Sequence, residues 1–184
     1  LSLHDALPIY LDAGKPDHLI EKARHKKFSN SLPRIIRPDL IWTEDGFAIT
    51  ELDSIPGGIG LTAWLNKTYS DLGYEVLGNS KGMLNGFASI LPKGADILVS
   101  QESSEYKPEM EWLSKELNDH FSSINFNVFD AEKYQITDRA VYRFFELFDL
   151  DNIAQTNDLF EAAANSQIDI TPSFKPQMEE KMWS

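Results

Sequence analysis

Residues 95–145 carry the pattern that most limits what this chain can fold into: a short apolar run, an amphipathic helix, and a returning strand. Ala95-Asp96-Ile97-Leu98-Val99-Ser100 is the sort of stretch that a parallel sheet buries on both faces. Residues 108–118 then place Met110, Leu113 and Leu117 on one side of a helix, and Phe126-Asn127-Val128-Phe129-Asp130 returns as a strand. The spacing matches a right-handed strand–helix–strand crossover, and residues 141–145 supply a further strand. The expected fold class is α/β, with a Rossmann-like parallel sheet covered by helices. No repeat of fixed period and no low-complexity tract interrupts it.

Composition then bounds the function. The chain has 184 residues, 42% of them hydrophobic, with 17 basic against 29 acidic side chains and a net charge of −12. A chain of this length buries roughly 70% of its unfolded surface, which suits one core or one core with an appendage. A charge of −12 repels polyphosphate and anionic lipid, so no nucleic-acid partner is expected, and phosphate chemistry must rest on a local site or a bound cation. The absence of cysteine removes disulfides, thiol nucleophiles and thiolate metal sites, and makes the reducing cytoplasm the simplest location. No apolar run approaches the roughly 20 residues that span a bilayer, and residues 1–9 include His4, Asp5 and Pro8 without a basic leader, so no membrane association is expected.

Before the sheet region, residues 16–28 read as a short basic amphipathic helix with Leu19, Ile20 and Ala23 inward. Residues 35–43 and 47–53 read as two strands joined by Glu44-Asp45-Gly46, whose Asp-Gly step supplies the positive φ of a tight hairpin. After Pro56-Gly57-Gly58-Ile59-Gly60, a helix over residues 61–72 is expected to turn Leu61, Trp64, Leu65 and Leu72 inward and to stop at Gly73, where an extended chain restarts. Residues 1–9 resemble translated sequencing adaptor and are read as a non-native leader. The domain reading is then 10–78 for the first helix, hairpin and second helix, 79–170 for the Rossmann-like region, and 171–184 for the start of a following segment.

The hairpin concentrates the chemistry. Pairing its strands about Asp45 sets Arg37 opposite Asp53, Asp39 opposite Glu51, Ile41 opposite Ile49 and Thr43 opposite Phe47 on one face, and leaves Ile36, Pro38, Leu40, Ala48, Thr50 and Leu52 as a core-facing set. Directly opposed side chains have Cβ atoms about 4.5–5.5 Å apart, so Asp39 and Glu51 bring like charges together with Asp53 one step away. Three carboxylates so placed either share protons at raised pKa or hold a hard divalent cation such as Mg²⁺ or Mn²⁺. Arg37 offsets part of the charge, and its planar fork suits a phosphoryl or acyl-phosphate oxygen. The plainer reading is a solvated hairpin face.

Arg37-Pro38-Asp39, followed after the turn by Glu51-Leu52-Asp53-Ser54-Ile55-Pro56-Gly57-Gly58, resembles the magnesium-site segment of ligases with a circularly permuted ATP-grasp domain, the glutathionylspermidine synthetase-like group. Those enzymes carry an Arg-x-Asp pair before a hairpin and a Glu-x-Asn pair after it. The resemblance implies that Arg37 is the catalytic arginine of acyl transfer and that Asp39 and Glu51 are magnesium ligands. Asp53 joins them as an oxygen ligand where the family has Asn. The loop bearing Ser54, Gly57 and Gly58 would contact a peptide-like substrate. The match is specific over residues 37–60; beyond them, residues 79–170 are similar in order and style to the pre-ATP-grasp region of bacterial relatives, the phrase Val141-Tyr142-Arg143-Phe144-Phe145-Glu146-Leu147-Phe148-Asp149-Leu150 included.

The implied function is the N-terminal part of an ATP-dependent carboxylate–amine ligase, with ATP and Mg²⁺ (or Mn²⁺) as cofactors and a small carboxylate and an amine as substrates. The ATP-clamping residues of such proteins would lie beyond Ser184, so these residues alone would not turn over. Other classes stay open: a noncatalytic acidic α/β binding domain that keeps the hairpin as structure, and a metal-dependent phosphoesterase. The glycine loop is equally a phosphate or carboxylate cradle before a helix or a turn needing glycine. Glu102, Glu105, Glu109, Glu111 and Glu116 read as a solvated helix face, and the four histidines are too scattered for zinc.

Overall fold

Largely apolar strands bury best between two layers of helices, and the central strands of this chain follow that rule. In a computed structural model, which describes residues 12–176 and residue 179, strands β3 (Gly94–Val99), β4 (Asn125–Asp130), β5 (Val141–Phe144) and β6 (Ile170–Thr171) form a four-stranded parallel sheet in the order β4–β3–β5–β6. The expected leader at residues 1–9 lies outside the described residues, as do residues 177, 178 and 180–184 of the segment expected at 171–184.

Alternation along each strand splits the core in two. Ala95, Ile97, Val99, Tyr142 and Phe144 pack with α2 (Ile59–Asp71), α3 (Gly82–Ile90) and α4 (Lys107–His120), whereas Leu98 and Val141 pack with α1 (Asp17–Arg24) and α5 (Thr156–Ala164). Helix α4 starts with Pro108 in its first turn and buries Met110, Leu113 and Leu117, the face its spacing predicts. Asp96, buried in β3, accepts hydrogen bonds from Arg139 Nε at 2.7 Å and Tyr134 Oη at 2.9 Å, so the one charge in that apolar run is matched by donors.

Three expectations fail. Helix α2 buries Ile59, Gly60 and Ala63 and leaves Leu61, Trp64 and Leu72 exposed, because its small residues let it approach α4 closely: a Cβ on Gly60 would lie 2.7 Å from the Glu109 carbonyl oxygen. The chain after Gly73 forms no ladder; it leads through a short 3-10 turn into α3, which the sequence reading omitted. The third concerns the hairpin of β1 (Arg37–Thr43) and β2 (Gly46–Asp53). Its base keeps the expected register, Arg37 opposite Asp53 and Asp39 opposite Glu51, but the register shifts between Asp39 and Leu40. Leu40 then opposes Ile49, Ile41 opposes Ala48, and Trp42 opposes Phe47. Thr50 is the extra residue, and its hydroxyl donates to the Asp39 carbonyl at 3.1 Å. The supposed core-facing set is not a core: Ile36, Leu40, Ala48 and Thr50 are exposed.

Candidate functional site

The strand order itself creates a cleft. From β3 the chain passes to β4 on one side, and from β5 to β6 on the other, so the loops leaving β3 and β5 diverge above their carboxyl ends. Open α/β sheets bind ligands at such switch points. Here a cleft of about 360 Å³ lies at that place, lined by Glu102, Glu105 and Tyr106 after β3, Phe144 and Glu146 from β5 onward, and Arg37, Asp53 and Gly57 from the hairpin base and its following loop.

Arg37 is the centre of the polar geometry. Its Nε donates to Asp39 Oδ1 at 3.0 Å, its Nη1 reaches the Gly57 carbonyl at 3.4 Å, and its Nη2 lies 3.6 Å from Asp53 Oδ2. The cross-strand pairing puts Asp53 directly opposite Arg37, and the two-residue step along β1 puts Asp39 on the same face. Asp53 is only 5% exposed, and its Oδ1 accepts the Ile55 N–H at 2.8 Å, which locks the carboxylate into the turn that leaves β2. A buried carboxylate is thereby paired on one oxygen with a backbone donor and on the other with a guanidinium.

The sequence-predicted set is therefore gathered in part. Arg37, Asp53 and Gly57 line the cleft, with Asp39 bonded to Arg37 and Glu51 opposed to Asp39. Ser54 is buried, 1% exposed, and does not line the cleft; its hydroxyl has no hydrogen-bond partner among the described residues. Among the described residues no group of three or more acidic or histidine side chains is arranged to hold a metal ion. What stands between Asp39 and Asp53 is the Arg37 guanidinium. Asp39 and Glu51 face each other across the ribbon base, and Mg²⁺ ordinarily takes one or two carboxylates from a protein when phosphate and water complete its shell.

The glycine loop is filled from within. Helix α2 begins after Gly58, which has φ +87° and no side-chain cap, and its first turn carries no acidic residue. Glu109 of α4 supplies the missing anion: its two oxygens accept the Gly58 N–H at 3.2 Å and the Gly60 N–H at 2.9 Å. The expectation that Glu109 belongs to a solvated face is thus corrected, and the Gly58 amide is taken by the protein itself. The signal available in the sequence was the uncapped helix start, which needs an anion from elsewhere in the chain. Replacing Glu109 by Ala is expected to cost about 1–2 kcal/mol in urea unfolding, because two amide donors lose a charged acceptor. A change within about 0.3 kcal/mol would place the bond outside the stabilising contacts.

Beneath the loop, Tyr142 has no hydrogen-bond partner for its hydroxyl among the described residues, and burial, followed by the nearby Asp53 charge, pushes its pKa well above the usual phenol value. It stays neutral and serves as core, its ring edge-on to Phe87 at 5.1 Å. No helix among the described residues is long and apolar enough to cross a membrane. No protein-family model matches the chain, and no curated protein matches it.

Proposed function

We propose that the chain is the N-terminal part of an ATP-dependent carboxylate–amine ligase of permuted ATP-grasp type, acting in the cytoplasm. Its Rossmann-like sheet would correspond to the pre-ATP-grasp region, and its switch-point cleft would receive the reacting carboxylate. The observation that carries the reading is the placement of Arg37 at the cleft between Asp39 and Asp53, which fixes a guanidinium at the mouth of a ligand crevice.

In this reaction ATP gives its γ-phosphoryl group to a substrate carboxylate oxygen, forming an acyl phosphate and ADP. An amine then adds to the carbonyl carbon; collapse of the tetrahedral adduct expels phosphate and leaves the amide, with a proton lost from nitrogen. Arg37 suits the oxyanion of that adduct, since its five donors form a rigid fork and Asp39 and Asp53 hold it from either side. Asp53 acts here as a positioning residue, bound to Ile55 N–H and facing Arg37. Asp39 and Glu51 are the pair that would hold Mg²⁺ or Mn²⁺, which would neutralise phosphate charge in the first step. Nothing in the scheme requires a side-chain nucleophile, in accord with the absence of cysteine.

Calorimetric titration of the protein with Mn²⁺ or Mg²⁺ in the presence of ADP tests this reading. Asp39→Asn and Glu51→Gln are each expected to weaken metal uptake by about tenfold or more, the effect typical of losing an anionic ligand. Equal uptake by wild type and both variants would instead favour a noncatalytic acidic binding domain that keeps the hairpin as structure.

A further inference from the structure

The far half of the hairpin carries an apolar panel that does nothing for the cleft. Trp42 is 74% exposed, Phe47 64%, Ile49 63% and Leu40 49%. The bulge at Thr50 assembles them: with an unbroken register Phe47 and Ile49 would lie on the face of Ile41 and Thr43, but the one-residue shift pairs Phe47 with Trp42 and Ile49 with Leu40. All four therefore share a face, with the Trp42 and Phe47 rings edge-to-face at 4.7 Å.

We propose that this four-residue panel is a docking surface for a short polypeptide segment whose apolar side chains are flanked by lysine or arginine. Charge argues for the basic flanks. From Pro38 to Asn66 the sequence contains no lysine or arginine, and Glu44 and Asp45 border the panel at the turn, while Asp39 and Glu51 lie on the opposite face with Arg37. A basic segment is drawn to such a rim, whereas a second copy of the ribbon would meet the same acids, in a molecule of charge −12.

Size argues for a segment. The panel offers roughly 500 Å² of surface, at the upper end of the patches that monomers carry (about 300–600 Å²) and below the roughly 800 Å² per partner of a stable interface between folded proteins. Geometry argues for the face over the edge. Pro38 has no N–H to donate and the Thr50 bulge breaks the ladder, so strand addition along the ribbon base is obstructed. The inference does not rest on the ligase reading, since none of the four side chains belongs to the Arg37 cluster.

Fluorescence anisotropy with a short labelled peptide of alternating lysine and leucine tests it, with a glutamate–leucine peptide beside it. Wild type should bind the basic peptide and not the acidic one. Trp42→Ser/Phe47→Ser, which leaves net charge unchanged, should weaken that binding by about tenfold or more, as expected for loss of an aromatic anchor. Glu44→Lys/Asp45→Lys, which leaves the panel intact, should weaken the basic peptide and admit the acidic one. Undiminished binding by Trp42→Ser/Phe47→Ser, or no binding by wild type, overturns the proposal. So does sedimentation equilibrium that finds a wild-type dimer abolished by Trp42→Ser/Phe47→Ser, because the occupant is then a second copy.

Discussion

Arg143→Met is expected to lower stability by about 3–5 kcal/mol, the usual cost of removing one partner from a buried ion pair. Arg143 is fully buried on β5. Its guanidinium donates to the carbonyls of Phe145, Pro172 and Ser173, and its Nη2 meets Glu179 Oε1 at 2.6 Å. The other Glu179 oxygen accepts the Leu147 N–H at 2.7 Å. One side chain thus ties the end of β5 to the turn that follows it and to the segment after β6. Without it a buried carboxylate and three carbonyls lose their donor together. At about 2–4 °C per kcal/mol for a chain of this size, Tm should fall by roughly 10 °C. Arg143→Met/Glu179→Met should recover part of the loss, since two apolar groups leave no charge behind; a double variant as unstable as the sum of the singles would contradict this account.

The same pair has a pH signature. Burial raises the Glu179 pKa above its ordinary 4.5, against the opposing pull of Arg143 and of the Leu147 and Glu146 hydrogen bonds. A carboxyl that binds its proton more tightly folded than unfolded stabilises the fold fully below 4.5, and that contribution fades as pH climbs through the raised value. Stability attributable to Glu179 should therefore decline with rising pH above 4.5. Glu179→Gln, which cannot ionise, should flatten the profile in thermal melts across that window. An unchanged slope would show that another group titrates there.

The second large effect is expected at the start of β3. Gly94 has φ +79°, and a Cβ there would sit 2.0 Å from the Asn125 carbonyl oxygen on the neighbouring strand. Gly94→Ala incurs left-handed backbone strain of about 1–2 kcal/mol and overpacking of about 1–3 kcal/mol. Urea unfolding should register about 3 kcal/mol in all, with the β3–β4 ladder opened at its first pair. A loss below about 0.5 kcal/mol would mean that the two strands separate there at little cost.

What the sequence made legible was whatever depends on near neighbours. The largely apolar run at Ala95 to Ser100 declared a parallel sheet, Phe126 to Asp130 followed it at crossover spacing, and the two strands pair as expected. Met110, Leu113 and Leu117 declared the buried face of α4 by spacing alone. Helix α3 was illegible because Gly82 and Gly86 depress its propensity, and it stands on the tertiary burial of Leu84, Phe87 and Ala88. In α2 the largest apolar residues pointed the wrong way: close helix contact selects Gly60 and Ala63, which a search for bulk passes over. At the hairpin the register is right at Arg37 and Asp39, near the site, and wrong by one beyond Thr50, because nothing in residues 40–50 announces a bulge. Glu109 and Glu146 enter the site region from elements distant in sequence, as contacts that only the assembled sheet and its helices create.

The ligase proposal turns on whether Asp39 and Glu51, at the base of this ribbon, hold a divalent ion beside Arg37. Mn²⁺ added to isotope-labelled protein broadens the amide resonances nearest the bound metal. The account predicts that at low Mn²⁺ the amides of residues 37–39 and 51–53 broaden first, and that Asp39→Asn/Glu51→Gln abolishes the effect. Broadening that begins elsewhere, or that persists unchanged in that variant, would contradict it.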